Sequence, residues 1–226
     1  VVGRCWSNFF ARPFFYLALG LLSVLPAVIV EIAALTVQMD PQLAVRLLNM
    51  VCGALAGAAI ASAVFQSFLG RELGLAEALG QGLASFLNLA ILALLVNILI
   101  FLGALLLMFP GLIVACMCFV AVPVCVVEMR PPTDSAIRSI NLTHDYRLSI
   151  LPFIIIYFSA IAFLPKLGIL AAASFYAGND VSGMIIADLV LIPLNIFYGL
   201  AAALRYADLR LVKEGVTADM LATEPD

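Results

Sequence analysis

The chain has 226 residues, is 65% hydrophobic and only 11% charged, and carries a net charge of −3. Water-solvated domains hold about 25% charged residues, so this composition excludes an ordinary soluble domain; the net charge argues neither for nor against nucleic acid, no basic tail is present, and no nucleic-acid partner is expected. Mean hydropathy is +1.18. The charged residues cluster and leave several long apolar runs, the pattern of helices of about 20 residues that cross a ~30 Å hydrocarbon layer.

In chain order, residues 1–12 form a polar-aromatic lead-in with Arg4, Trp6 and Arg12. Trp6 and Tyr16 suit the headgroup level. A first span is expected over Pro13–Val37, kinked at Pro26. It is too long for a signal peptide and lacks an Ala-x-Ala exit. The chain starts at Val1, so a processed start or an upstream segment is expected. Met39-Asp40-Pro41 reads as a turn. A second span covers Leu43–Leu69, with Gly53, Gly57 and Ala61 at four-residue spacing. Small residues on one face let helices approach closely in lipid, within the bundle or between copies.

The segment Arg71–Gly80 is amphipathic and leads into a third span over Leu83–Met108, in which Asn88 and Asn97 need hydrogen-bond partners. Phe109-Pro110-Gly111 reads as a tight turn, followed by a fourth span over Leu112–Val127 interrupted by Pro123. After Glu128, Thr133 is placed to cap a short helix, and Asp134 and Arg138 form an i,i+4 pair on it. That helix is too short to cross and is expected to rest at the interface. A fifth span runs over Leu148–Leu164 with Lys166 at its far end, then a small-residue loop through Gly178, Asn179 and Asp180, and a sixth span over Val181–Leu204. The expected organisation is therefore an all-α polytopic bundle of six transmembrane helices over residues 1–204, with two interfacial amphipathic elbow helices and a polar tail over 205–226. The two elbows occupy equivalent places ahead of helical hairpins. This suggests a repeating unit of which the lead-in is a degenerate first copy.

With six spans, Arg4, Arg12, Arg71, Arg130, Arg138, Arg147, Arg205, Arg210 and Lys213 fall on one side, and only Arg46 and Lys166 on the other. The positive-inside bias then puts both termini in the cytoplasm.

Two polar groupings stand out. Glu31, Lys166 and Asp188 lie in or near the spans on the opposite side. Glu31 and Asp188 are roughly 8–11 Å inside their helix ends, where an unpaired charge costs at least a few kcal/mol. Pairing of Lys166 with one of them around an outward cavity is one reading, and a structural ion pair or headgroup exposure is the other. On the arginine-rich side, Glu128, Arg138, Arg147, Arg205, Asp208 and Arg210 form a second cluster, able to bind anionic headgroups or to tie elbow to tail. His144-Asp145 lacks a serine or cysteine nucleophile in an elbow motif. Of the five cysteines, the four within apolar runs (all but Cys5) read as small apolar packers. A single histidine excludes a multi-histidine metal site, and no cofactor motif is present. The prolines at 26, 123, 152 and 193 either shape the bundle or break helices around a transport site.

The stretches Phe109-Pro-Gly-Leu-Ile-Val-Ala115, Ala121-Val-Pro-Val124, Glu128 and Ala136-Ile-Arg-Ser-Ile-Asn-Leu-Thr143 resemble a bacterial family: the membrane domain found beside glycerophosphodiester phosphodiesterases, with related YciC-like inner-membrane proteins. The tail from Leu204 to Gly215, with Tyr206, Asp208, Leu209 and Arg210 ahead of Lys213-Glu214-Gly215, is similar to the end of that family. The resemblance implies a multi-pass protein of the bacterial inner membrane. The phosphodiesterase chemistry of some relatives sits in a separate soluble domain, for which this chain shows no counterpart. The expected role is a non-enzymatic accessory or scaffold. It would pack with another integral membrane protein or with its own copies and hold membrane lipids at the elbows, the Gly53/Gly57/Ala61 face and the arginine-rich rim being its contact surfaces. The alternative is a transporter or channel for a small or lipidic substrate.

Overall fold

The computed structural model describes residues 2–37, 42–68, 70–106, 108–175 and 180–215. The expected turn at Met39-Asp40-Pro41, the loop at Gly178-Asn179 and the tail beyond Gly215 lie outside them. Among the described residues, ten α-helices follow in order: α1 (Val2–Ala11), α2 (Pro13–Val37), α3 (Gln42–Phe68), α4 (Leu75–Ala84), α5 (Phe86–Leu106), α6 (Met108–Met117), α7 (Ala121–Val127), α8 (Pro132–Thr143), α9 (Arg147–Phe175) and α10 (Asp180–Glu214). No strand occurs among these residues, and six of their segments are long and apolar enough to cross a membrane. The chain is an all-α, multi-pass membrane protein.

The elbows number three rather than two. The lead-in folds into α1, whose Trp6 meets the edge of Phe197 on α10 at 4.9 Å and whose Cys5 is buried. Helices α1, α4 and α8 each precede a hairpin of spans: α2–α3, α5 with α6–α7, and α9–α10. Tyr16 is not at an exposed aromatic belt. It is buried and stacked on Phe9.

Helix α3 lies at the centre and touches α2, α4, α5, α7 and α10. Its small-residue face is used inside the bundle. Ala61 is buried, and a Cβ placed on Gly199 of α10 would come within 3.6 Å of the Gly57 Cα. Of the three small residues, only Gly53 faces open space. Of the two uses expected for this face, Gly57 and Ala61 serve packing within the bundle, where α10 lies against them, and are not left as a surface for a partner. The Gly103–Gly111 approach closes the α5–α6 hairpin more tightly still, a Cβ on Gly103 falling 2.9 Å from the Gly111 Cα. The Phe109-Pro110-Gly111 stretch is therefore not the turn itself but the first turn of α6. Pro110 is tolerated there because the first turn's N–H groups have no helical acceptor.

The fourth span is broken where Pro123 predicts, since proline cannot donate to the carbonyl four residues before it. The chain unwinds between α6 and α7, and Ala121 N–H turns to Cys118 O at 3.1 Å. The Met117 carbonyl then has no helical donor. Ser139 Oγ of α8 donates to it at 2.7 Å, and Thr143 Oγ1, whose single proton is closer to Ser139 O at 2.9 Å, lies 3.3 Å away as a second donor that can turn to it. Ser135, Ser139 and Thr143 are all fully buried on one stripe of α8. One face of the elbow is thus packed against the bundle, while Thr133, Asp134, Ile137 and Asn141 stay exposed on the other. Pro132 opens it at N1, with no side-chain cap from Thr133.

Helices α9 and α10 both exceed their expected lengths. Lys166 is inside α9 rather than at its end, and residues 205–214 continue α10 instead of beginning a loose tail. Gly215, with φ +65°, ends α10 by donating its N–H to Leu211 O at 3.1 Å, the left-handed stop that glycine favours.

Removing both α8 hydroxyls strands a buried carbonyl, at a cost of about 1–3 kcal/mol. The Ser139→Ala/Thr143→Ala double variant is expected to melt earlier in mild detergent, with each single variant milder because one donor remains. A double variant that melts with the parent would contradict this role.

Candidate functional site: a polar clamp and a buried carboxylate pair

At the arginine-rich end, the chain after α7 reverses at Met129, a non-glycine residue with φ +48°. Such a left-handed residue costs roughly 1–2 kcal/mol. The reversal returns Arg130 to Glu128, with Nε 2.6 Å from Oε2. Glu128 is the hub of a closed circuit. Its Oε1 accepts from the Tyr206 hydroxyl at 3.1 Å and from Arg138 Nε at 3.3 Å. Arg138 also donates to Glu214. Glu214 accepts from Arg210 Nε at 3.0 Å, and Arg210 Nη1 returns to the Tyr206 hydroxyl at 3.3 Å. The end of α7, the elbow α8 and the end of α10 are locked together in this ring.

Of the six residues expected to cluster here, the ring contains Glu128, Arg138 and Arg210. Asp208 instead pairs with Arg4 at 2.6 Å, bringing α1 to the end of α10. Arg205 donates to the Ser149 hydroxyl. Arg147 buries its Nε without a hydrogen-bond partner. Asp134 does not take Arg138 as an i,i+4 partner, because Glu128 and Glu214 hold it. Sequence reasoning missed Tyr206 and Glu214. The signal for both was their four-residue spacing about Arg210, which puts all three on one stripe once α10 is known to extend that far.

His144 and Asp145 form an exposed turn between α8 and α9, outside the apolar spans. Lys213 Nζ lies 2.7 Å from Asp145 Oδ2, and His144 Nδ1 lies 3.0 Å from Oδ1. These hydrogen bonds, the one from Lys213 first, hold the Asp145 carboxyl down to about 2. Lys213 also donates to Asn141 O at 2.9 Å. The pair is thus engaged in fastening α10 to the elbow. Burial pushes the Cys5 thiol up from its ordinary value, which makes it a poor nucleophile. No group of three potential metal-ligating side chains occurs among the described residues.

At the opposite end, Glu31 on α2 and Asp188 on α10 are each only 8% exposed. Asp188 is a charged neighbour of Glu31, and Asn49 on α3 is a polar neighbour of Asp188. Glu31 Oε2 and Asp188 Oδ2 are both buried without a hydrogen-bond partner. Lys166 does not join them. It is exposed on α9, its ammonium 6.0 Å from the centroid of the Phe163 ring on its own helix, and it makes no ion pair among the described residues. Of the two readings of Lys166, pairing around a cavity is therefore set aside, and the exposed position agrees with the other. Its helix runs on past it, which puts it on an outer face rather than at a rim.

Below the pair the bundle closes. A Cβ on Gly20 of α2 would lie 2.6 Å from Ile196 Cδ1 and 2.7 Å from Ile192 Cγ2 of α10. Asn97 does not extend a polar path, since it donates to Ala93 O of its own helix at 2.8 Å. Asn88 is on the exposed side of α5.

Comparison of the chain with family models, curated proteins and solved structures returned no match.

Truncating the hub leaves Arg138 and Tyr206 without their shared acceptor. Glu128→Ala is expected to cost about 3 kcal/mol and to lower the melting midpoint. Glu128→Gln, which keeps an acceptor, is expected to lose less. Equal midpoints for Glu128→Ala and the parent would count against the clamp.

Proposed function

We propose that this multi-pass protein is a non-catalytic accessory or scaffold of the bacterial inner membrane, with both termini cytoplasmic. It packs beside another integral membrane protein or a second copy and holds anionic lipid headgroups at its arginine-rich rim. The observation that carries this reading is the closed interior. Gly20 of α2 sits directly against Ile192 and Ile196 of α10, and the cluster that continues from there is apolar, with Leu19, Ile60, Leu200 and Leu204 fully buried. A bundle sealed in this way acts through its outer surfaces.

The rim supports the lipid part. Among the described residues, Arg12, Arg71, Arg147 and Arg205 pair with no carboxylate, so their charge is left for phosphate-bearing headgroups. A transporter is the second reading, favoured by the buried Glu31–Asp188 pair.

Native mass spectrometry after release from a mild detergent separates the two. The scaffold reading expects a retained second copy or a fixed membrane partner, with anionic phospholipids that are lost in an Arg147→Gln/Arg205→Gln variant. A bare monomer without lipid adducts, together with solute flux in reconstituted vesicles, would overturn it.

A further inference from the structure

Neither the clamp nor the apolar seal accounts for the polar group formed by Glu31, Asp188 and Asn49. Three helices bring it together. Glu31 is six residues before the end of α2, Asn49 seven residues into α3, and Asp188 eight residues into α10. At about 1.5 Å per residue, each lies roughly 9–12 Å inside its helix end, at one level of an antiparallel packing in which all three helices touch.

Asp188 has Asn49 as a polar neighbour, but its Oδ2 is buried and unpartnered. Glu31 enters from the third helix, more than nine-tenths buried, and its Oε2 also finds no donor. Two anions in each other's field, out of water and short of donors, are an unbalanced arrangement. The charged and titratable groups on the neighbouring elements do not balance it. Arg46 on α3 is exposed, Lys166 on α9 is exposed and turned to Phe163, and Ser23 on α2 is committed to Gly20 O. Among the described residues, no cationic side chain reaches either carboxylate.

We infer that Glu31, Asp188 and Asn49 form a binding site for one exchangeable hard cation, a proton or an alkali ion, set between α2, α3 and α10 at the end of the bundle opposite the termini. A proton on one carboxyl removes the repulsion and supplies the missing donor. An alkali ion would be taken by the carboxylate oxygens of Glu31 and Asp188, the ligand type such ions prefer, with Asn49 keeping its place as the amide neighbour of Asp188. The Gly20–Ile192–Ile196 contact lies on the inward side, so exchange runs through the opposite end. The site binds without requiring transport, and it stands whether or not the scaffold reading holds.

Infrared spectroscopy of the full chain in nanodiscs tests this in two arms. In buffer free of alkali ions at neutral pH, a protonated-carboxyl band is expected. It should be lost in Glu31→Gln and should titrate at lower pH in Asp188→Asn, where the neighbouring charge is gone. Melting should follow. Deprotonation leaves the two buried carboxylates repelling each other, so the parent's midpoint should fall as pH is raised, and the fall should flatten in Glu31→Gln. Added sodium chloride forms the second arm. A saturable rise in midpoint that removes the carboxyl band, and is absent in both variants, identifies an alkali ion. A choline chloride control separates this from ionic strength. If Glu31→Gln does not fold, Asp188→Asn alone reports both arms. No protonated-carboxyl band dependent on these residues, together with no saturable sodium effect, would overturn the proposal.

Discussion

The structure depends on how one short helix is held. Helix α8 is too short to cross a membrane, yet it is fastened on two sides. On one, Arg138 bridges Glu128 and Glu214. On the other, Ser139, with Thr143 beside it, covers the Met117 carbonyl freed by the break in the fourth span. In an apolar surround, an unmet carbonyl is costly and irregular backbone is tolerated only where protein groups satisfy it. The break and the elbow are therefore one device. Pro123 opens the ladder, and the buried hydroxyl stripe of α8 closes it.

The clamp accounts for where the charges went. A membrane bundle can place arginine and glutamate at its ends without large penalties, but a ring that includes a buried tyrosine hydroxyl and a nearly buried carboxylate fixes geometry as well as charge. Glu128 sits where the returning chain, the elbow and α10 converge, so the third hairpin is docked to the second by polar contacts and to the first by the close approach of Gly199 and Gly57. The repetition of elbow and hairpin, seen three times, leaves α3 at the centre. The small residues of its second half suit that position, since a larger side chain at Gly57, Ala58 or Ala61 would hold neighbouring helices apart.

Much of this was legible in the sequence. Charge-free runs marked the six spans, Pro123 located the broken helix, and the Glu128–Arg138 contact is a tie of the sort expected between elbow and bundle. Three features were not legible, each for a physical reason. The third elbow, α1, has the composition of a lead-in, and only its packing of Trp6 and Phe9 on Phe197 makes it an element. The length of α10 was hidden because the hydrophobic signal stops near Leu204 while helical hydrogen bonding does not. The position of Lys166 turned on the same error in α9: a span was ended at its first charge, whereas the helix continues and carries that charge on an exposed face. The spacing of Ser135, Ser139 and Thr143 was visible, but its meaning required knowing which carbonyl the break would release.

Hydrogen–deuterium exchange of the full chain in nanodiscs is the most direct measurement of whether α8 is a clasp inside the bundle. Its backbone amides over residues 136–143 should exchange as slowly as those in the last turns of α10, and Glu128→Ala should speed both segments together. Rapid exchange across α8 in the parent, or acceleration confined to one of the two segments, would contradict the account.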